Sequence, residues 1–309
     1  MSLTEALKPL LAARDQINEI VVGKKAEVHL ALVSVLAGGH LLLEDLPGVG
    51  KTTLAHALSA SLDLDFGRVQ FTSDLLPADL VGVSVFDPNT RRFDFHRGPI
   101  FTQLLLADEI NRGTPKLQSA LLEAMAEGQV TVDGVSHALP KPFIVIATQN
   151  PIEQSGTFAL PESQLDRFLL SMSLGYPDAA SEKALLAARE RRQAIAELKP
   201  KLSSEQLLAL RQQADGLHAS AAAIEYAYAL INSTRSDKRV RIGLSPRAGI
   251  GLLRAAKAHA LLAARTHVLP EDLQAVFVAV TRHRLVLAAD ASGDGAIISR
   301  DLLAHVPIP

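Results

Sequence analysis

The chain has 309 residues and a formal net charge of −2, with 48% apolar and 21% charged side chains. That is the profile of a soluble globular protein with one large domain or two ordinary ones, and the charge speaks against life on nucleic-acid backbones, which favours a basic balance or face. The chain has no cysteine, which excludes disulfides and thiolate-bound metal, and its ten histidines show no HExxH-like spacing, so no zinc site is expected.

The opening stretch MSLTEALKPLLAARD carries an early acid and no cleavable apolar core, so it does not read as a signal peptide. No apolar run approaches the roughly 18 residues a membrane span needs, and the expected location is the cytoplasm. Apolar spacing predicts a helix over 3–20, stopped at Gly23, and a second over 25–37, stopped at Gly38-Gly39. A strand over 40–44 then feeds the turn PGVG and a helix that starts near Lys51. GRVQFT (67–72) reads as a β-branched strand, and VSVFDPNTRRFDF (83–95) alternates on both sides of a turn, as a hairpin does. IFTQLLLADE (100–109) is an apolar strand ending in two acids, followed by a helix at 115–127. GQVTVDGVSHAL (128–139) folds about Asp133-Gly134 as a second hairpin, and PFIVIATQNP (142–151) is another buried strand with a polar end.

Apolar strands alternating with helices predict a parallel sheet covered on both faces. Lys51-Thr52, Asp108-Glu109 and Asn150 then all fall at carboxyl ends of strands, where open α/β sheets hold ligands. After GYPD (175–178) the chain turns rich in Ala, Leu, Glu and Arg with helical periodicity, which places a linker near Pro177 and a helical second domain beyond it. Ser203-x-x-Gln206 reads as a capping box, and Pro270-Glu271-Asp272 as a helix start.

The segment LLLEDLPGVGKTT (41–53) matches a phosphate-binding loop in all but one place, since Asp45 stands where G-x-x-x-x-G-K-[ST] has its first glycine. In such a loop the backbone N–H groups of Gly48, Val49, Gly50 and Thr53 and the helix N-terminus favour an anion. Lys51 reaches the β- and γ-phosphates and Thr52 holds Mg²⁺. An inward Asp45 carboxylate about 4 Å from a phosphate charge is repelled by roughly 4 kcal/mol at an effective dielectric of 20. Its side chain is therefore expected to point away, toward loop N–H groups or a basic residue.

Of the acids that end the 100–109 strand, Asp108 suits the metal and Glu109 the base that orients the attacking water. Asn150 has the chemistry to bond the γ-phosphate or its water, although on spacing alone a turn-forming Asn before Pro151 is the plainer reading. Arg167 in LPESQLDRFLL and Arg247 in LSPRAGI are candidates for stabilising transition-state charge. Ser245 as cap and Pro246 at the first position fix Arg247 in a first turn, where an arginine opposes the helix dipole. The charged runs ARERRQ (188–193) and RSDKRVR (235–241) read as solvated faces, and TRRFDFHRG (90–98) as a hairpin with exposed arginines.

These residues, in this order, resemble the AAA+ ATPases and, within them, the MoxR family, along nearly the whole chain. The likeness is carried by LLLEDLPGVGKT, QFTSDLLPADLVG, GPIFTQLLLADEINR, FIVIATQNPIEQSGTFALPESQLDRFLL, GYP and LSPRAGIGLLRAAKAHAL. It implies an α/β AAA+ P-loop core over 1–176, a parallel sheet flanked by helices, and a helical lid over 177–309. It also implies ATP and Mg²⁺ as cofactors, with Lys51 and Thr52 as Walker A, Asp108 and Glu109 as Walker B, Asn150 as sensor 1 and Arg247 as sensor 2. Val22 and Gly23 are placed beside the adenine. Arg167 becomes an arginine finger acting on a neighbour's γ-phosphate, which calls for a homo-oligomeric ring, a hexamer in relatives. The resemblance assigns Arg247 in cis, although some AAA+ relatives use sensor 2 in trans.

The same resemblance implies chaperone-like maturation of a client protein, often with a von Willebrand factor A-domain (VWA) partner. The chain has no DxSxS motif, so that partner is a separate polypeptide. The two hairpins correspond to family insertions that face the ring axis or a client. Two departures stand out: Lys24-Lys25 where the family more often has Gln-Glu, and Asp45. A nucleic-acid motor and a nucleotide-gated scaffold with little turnover are the competing readings. The first is disfavoured by charge and the second by Glu109 and Arg167.

Overall fold

In the computed structural model, which describes residues 3–151, 156–187 and 195–308, helical spacing at the N-terminus becomes α1 (Leu3–Ile20) and α2 (Lys25–Leu36). Leu7, Leu10, Ala13 and Ile17 form one buried stripe of α1, while the last turns of α2 are buried all round, from Ala31 to Leu36. The charged run 188–193 lies outside the described residues.

Five strands form one parallel sheet: β1 (Leu41–Glu44), β2 (Phe66–Gln70), β5 (Leu104–Asp108), β8 (Ile144–Gln149) and β9 (Leu170–Met172), in the order β2-β5-β8-β1-β9. The pleat sends alternate residues to opposite faces, so Leu41, Leu43, Leu104, Leu106, Ile144 and Ile146 enter one apolar core. Leu42, Leu105, Ala107, Val145 and Ala147 enter a second on the other face, with Phe71, Leu121 and Phe168. Both faces are covered, as the uninterrupted apolar runs predict. Helix α3 (Lys51–Ser61) follows β1 through the glycine turn.

Strand β9 lies outside the predicted set. Its three residues are too few to show a period, and it exists because Leu41, Leu42 and Leu43 pair with Leu170, Ser171 and Met172. The strand predicted over 100–109 begins only at Leu104. Ahead of it the Thr102 hydroxyl donates to Asp65 O (2.7 Å), and the amides of Gln103 and Leu104 bond the same carbonyl.

Short α4 (Pro77–Val81) leads into the hairpin β3 (Gly82–Asp87) and β4 (Arg92–Arg97). Helix α5 (Pro115–Glu127) leads into the hairpin β6 (Gln129–Val132) and β7 (Val135–Ala138), whose turn residues Asp133 and Gly134 have φ of 51° and 77°. Phe95 stacks on His137 with ring centroids 4.0 Å apart, which joins the hairpins.

After the short helix α6 (Glu162–Leu165) and β9 come α7 (Ala179–Ala187), α8 (Ser204–Asp215), α9 (Ala221–Ser236), α10 (Pro246–Leu262), α11 (Pro270–Thr281) and α12 (Gly295–His305). Both predicted caps form: Ser203 with Gln206, and the Ser245 hydroxyl accepting from Ala248 N at 3.1 Å. Two small ladders tie these helices together, β10 (His218–Ala219) with β12 (His267–Val268) and β11 (Val240–Ile242) with β13 (Val286–Leu287).

The helical part is not a loose appendage. Its Leu252, Phe277 and Leu302 share one apolar core with Leu7 and Leu32. Arg211 donates to Val35 O (2.8 Å) and Arg254 to Ala37 O, satisfying carbonyls at the C-terminus of α2. His283 and Arg284 grip the run that carries Arg167. Arg284 Nε bonds Asp166 Oδ1 at 2.7 Å and His283 Nε2 donates to Phe168 O at 3.0 Å.

Candidate functional site

Strand β1 ends in the loop 45–50, and the backbone there is left-handed at Gly48 (φ +83°) and Gly50 (φ +102°). A side chain at either glycine would strain the loop, and nothing lies within 4 Å of where its Cβ would stand. The loop therefore leaves open space over the N-terminus of the 11-residue α3, the setting that favours an anion. This cleft, of about 330 Å³, is lined by Pro47, Gly48, Gly50, Lys51, Thr52 and Thr53 on one side, and by Arg68, Asp108, Glu109 and Asn150 on the other. The three strand ends singled out in the sequence thus meet in one place.

Asp45 does point away. Its Oδ1 accepts from Leu46 N (2.9 Å) and its Oδ2 from Gly175 N (2.7 Å), and the residue is buried. The carboxylate therefore fastens the loop to the segment that follows β9. Lys51 Nζ donates to Asp45 O (2.7 Å), so the ammonium lies over its own loop. Partial burial pulls Lys51 below the usual lysine value, against the opposing pull of Asp45, Asp108 and Glu109.

Asp108 is held on both oxygens: Oδ1 accepts from the Thr148 hydroxyl (2.6 Å) and Oδ2 from Arg68 (2.7 Å). Thr148 Oγ1 also accepts from Glu109 N (2.9 Å), so one buried hydroxyl orients both acids. Glu109 has φ of 54°, in the left-handed region that non-glycine residues rarely occupy and that clusters at functional sites. Its carboxylate meets Arg112 Nε at 2.8 Å. Asn150 lines the cleft, and its carbonyl accepts from Asn111 Nδ2 at 3.5 Å.

Among the described residues no group of three or more His, Cys, Asp or Glu could hold a metal. The hydroxyl of Thr52 and the carboxylate of Asp108 both lie on the cleft wall. These are hard oxygens of the kind a magnesium ion could take, one or two from protein and the rest from water and phosphate.

Arg167 and Arg247 do not line this cleft. They share a different cavity of about 460 Å³ with His40, Asp166, Arg254 and Arg284. Arg167 Nη1 donates to Leu122 O (2.8 Å), and Arg247 is exposed in the first turn of α10. Val22 and Gly23 lie outside both cavities. Gly23 backs onto α7, where a Cβ would come within 2.4 Å of Ser181 Oγ, and Lys24 donates to Tyr176 O (2.8 Å). These contacts tie residues 23–24 to the segment leading into the helical part.

Sequence reasoning did not single out Arg68, Thr148, Arg254 or Arg284. Thr148 sits two residues before Asn150 in the strand predicted over 142–151, so the pattern that placed Asn150 near the acids also placed Thr148 there. Arg68 reaches Asp108 only because β2 pairs with β5 in a register that puts Gln70 beside Asp108.

The profile of the ATPase family associated with various cellular activities (AAA) matches residues 40–170, and that of the AAA lid domain matches residues 232–303. The chain is 44% identical to YeaC of Bacillus subtilis (strain 168) over 313 residues, covering 100% of this chain and 98% of the other. It is 39% identical to Chaperone MoxR1 of Mycobacterium tuberculosis (strain ATCC 25618 / H37Rv), covering 95% and 81%, and 33% identical to Protein MoxR of Paracoccus denitrificans, covering 89% and 88%. A solved structure from Cytophaga hutchinsonii superposes with a TM-score of 0.89 at 35% identity, over 99% of this chain and 97% of that one. With the parallel sheet, the phosphate-type loop and the C-terminal helical lid, these likenesses establish that the chain belongs to the MoxR family of AAA+ ATPases.

Proposed function

We propose that the chain hydrolyses ATP in a homo-oligomeric ring, a hexamer, and uses the cycle for chaperone-like remodelling or maturation of a client protein in the cytoplasm. The observation that carries this reading is the separation of two half-sites on one chain. The loop, Asp108, Glu109 and Asn150 line one cleft, while Arg167 and Arg247 line another. The arginine that lines the first cleft, Arg68, is paired with Asp108, so further arginines for transition-state charge would come from a neighbour's second cavity when copies assemble in a ring. The same separation supports both arginines acting in trans. The division proposed with this reading is a core over 1–176 and a lid over 177–309, meeting near Gly175 and Tyr176, to which Asp45 and Lys24 bond.

In this reading the N–H groups of Gly48, Val49, Gly50 and Thr53 cradle the phosphates and Lys51 turns from Asp45 O onto the β- and γ-oxygens. Thr52 and Asp108 would hold a magnesium ion, which would supply positive charge to offset that on the phosphate oxygens. Glu109, released from Arg112, orients the attacking water, and Asn150 bonds that water or the γ-phosphate. Val22 and Gly23 border the base. The name of the Mycobacterium tuberculosis relative, Chaperone MoxR1, favours a protein client, and a separate VWA-domain protein is the proposed partner. No described helix is long and apolar enough to cross a membrane.

The test is ATP turnover by the parent and by Lys51→Ala and Glu109→Gln, with and without DNA. Turnover by the parent that both variants lose, and that DNA does not raise, supports the proposal. Strong stimulation by DNA would replace the protein client with a nucleic-acid track, and full turnover by Glu109→Gln would remove the assigned base.

A further inference from the structure

Arg68 is the side chain in the cleft that neither the loop pattern nor the acids require. It projects from β2, the edge strand of the sheet, with its side chain 48% exposed, and its Nη2 meets Asp108 Oδ2 at 2.7 Å and Gln70 Oε1 at 3.3 Å. The Asp108 side chain is far less accessible at 13%, and its other oxygen is engaged by Thr148. Oδ2 is thus the oxygen a cation in the cleft would take, and a guanidinium holds it. Lys51, the other cation on the cleft wall, is bonded to Asp45 O.

Resting on the nucleotide-site reading above, we propose that Arg68 is the exchange partner of the magnesium ion at Asp108: it neutralises the carboxylate while the site lacks metal and is displaced when metal arrives. The chemistry requires an exchange, because one carboxylate oxygen cannot donate fully to a guanidinium and a divalent ion, and the two cations repel each other. The geometry allows it, because Arg68 stands on an edge strand at the border of a second cavity. That cavity, distinct from the one lined by Arg167 and bordered by Thr52, Thr53, His56 and Ile195, gives the released side chain a place next to the first turn of α3. A planar guanidinium is well suited to phosphate oxygens, so the displaced side chain remains useful in the loaded site. Arg68 is therefore a positioning residue that sets how much free metal is needed to load the site.

The test uses the full chain and equilibrium binding of a fluorescent ATP analogue, with free Mg²⁺ titrated from a chelated baseline, for the parent and Arg68→Gln. The half-saturating Mg²⁺ concentration is expected to fall roughly three- to tenfold in the variant, equal to about 0.7–1.4 kcal/mol at tenfold per 1.4 kcal/mol. Nucleotide binding without metal is expected to weaken, because Asp108 then faces the phosphates unpaired. In an Asp108→Asn background, adding Arg68→Gln is expected to leave the Mg²⁺ response unchanged, since the two act on one interaction. An unchanged or raised half-point in Arg68→Gln, with nucleotide still bound at saturating metal, overturns the exchange while leaving the site reading in place. No binding by the parent at any Mg²⁺ concentration overturns both.

Discussion

His40 precedes β1 and joins three parts of the core, and its partners fix its protonation state. Its Nδ1 accepts from Val145 N (3.0 Å), inside the central sheet, while its Nε2 faces Met125 O (3.2 Å), which only accepts. The ring is therefore the neutral Nε2–H tautomer, and a proton on Nδ1 would break the bond to β8. Burial, aided by Arg211, Arg254 and Arg247, lowers its pKa from 6.5 to about 4. The unfolded chain binds a proton as pH falls through 6.5 and the folded chain does not until about 4, so this contribution is full above 6.5 and is lost between those values. A 2.5-unit gap corresponds to about 3 kcal/mol in all, of which about 2 kcal/mol is gone by about pH 5. Gln at this position keeps an acceptor and a donor without titrating. Urea denaturation of the parent and His40→Gln at about pH 7.5 and about pH 5 should show the variant losing about 2 kcal/mol less than the parent over that interval. His29 and His283, also lowered by burial, titrate in both proteins and cancel in the difference. Equal losses in the two proteins would refute the assigned tautomer and its linkage.

Asp45→Gly restores the usual first glycine but removes the bonds to Leu46 N and Gly175 N. Urea denaturation should report a loss of about 1–3 kcal/mol, while titration with a fluorescent nucleotide should show affinity nearly unchanged. Glu109→Gln should keep nucleotide affinity and lower the turnover rate by about 10² to 10⁴, measured as phosphate release. Asp166→Ala leaves the buried Arg284 guanidinium without its carboxylate, while the backbone bonds from Arg284 and His283 to 166–169 remain. It should cost about 3–5 kcal/mol in chemical denaturation, and Asp166→Ala paired with Arg284→Met should recover part of that loss.

What was legible in the sequence was what is local. The turn glycines, the caps at Ser203 and Ser245 and the hairpin at Asp133-Gly134 each specify backbone within a few residues, and each forms as read. The apolar runs at 41–43, 104–107 and 144–147 place the strands because burial on both faces demands them. Their polar ends then converge at the carboxyl edge of the sheet, which makes the cleft readable from the sequence. The rest depends on pairing between distant segments. Strand β9 exists only beside β1, Arg68 reaches Asp108 only through the β2–β5 register, and Asp45 has its partner at Gly175, 130 residues on. Likewise nothing in the spacing of Arg167 and Arg247 reveals that they line one cavity away from the loop; that follows from His283 and Arg284 clamping 166–169.

The central claim is that a working site is assembled from two copies of the chain, and mixing two crippled variants tests it most directly. Lys51→Ala removes the loop lysine but keeps Arg167, and Arg167→Ala does the reverse, so each alone should be nearly inactive. In a ring reassembled from equal amounts, about a quarter of the interfaces pair an intact loop with an intact arginine, and turnover should return to about that fraction of the parent's. A mixture no more active than its components, with mixed rings shown to form, would contradict the account.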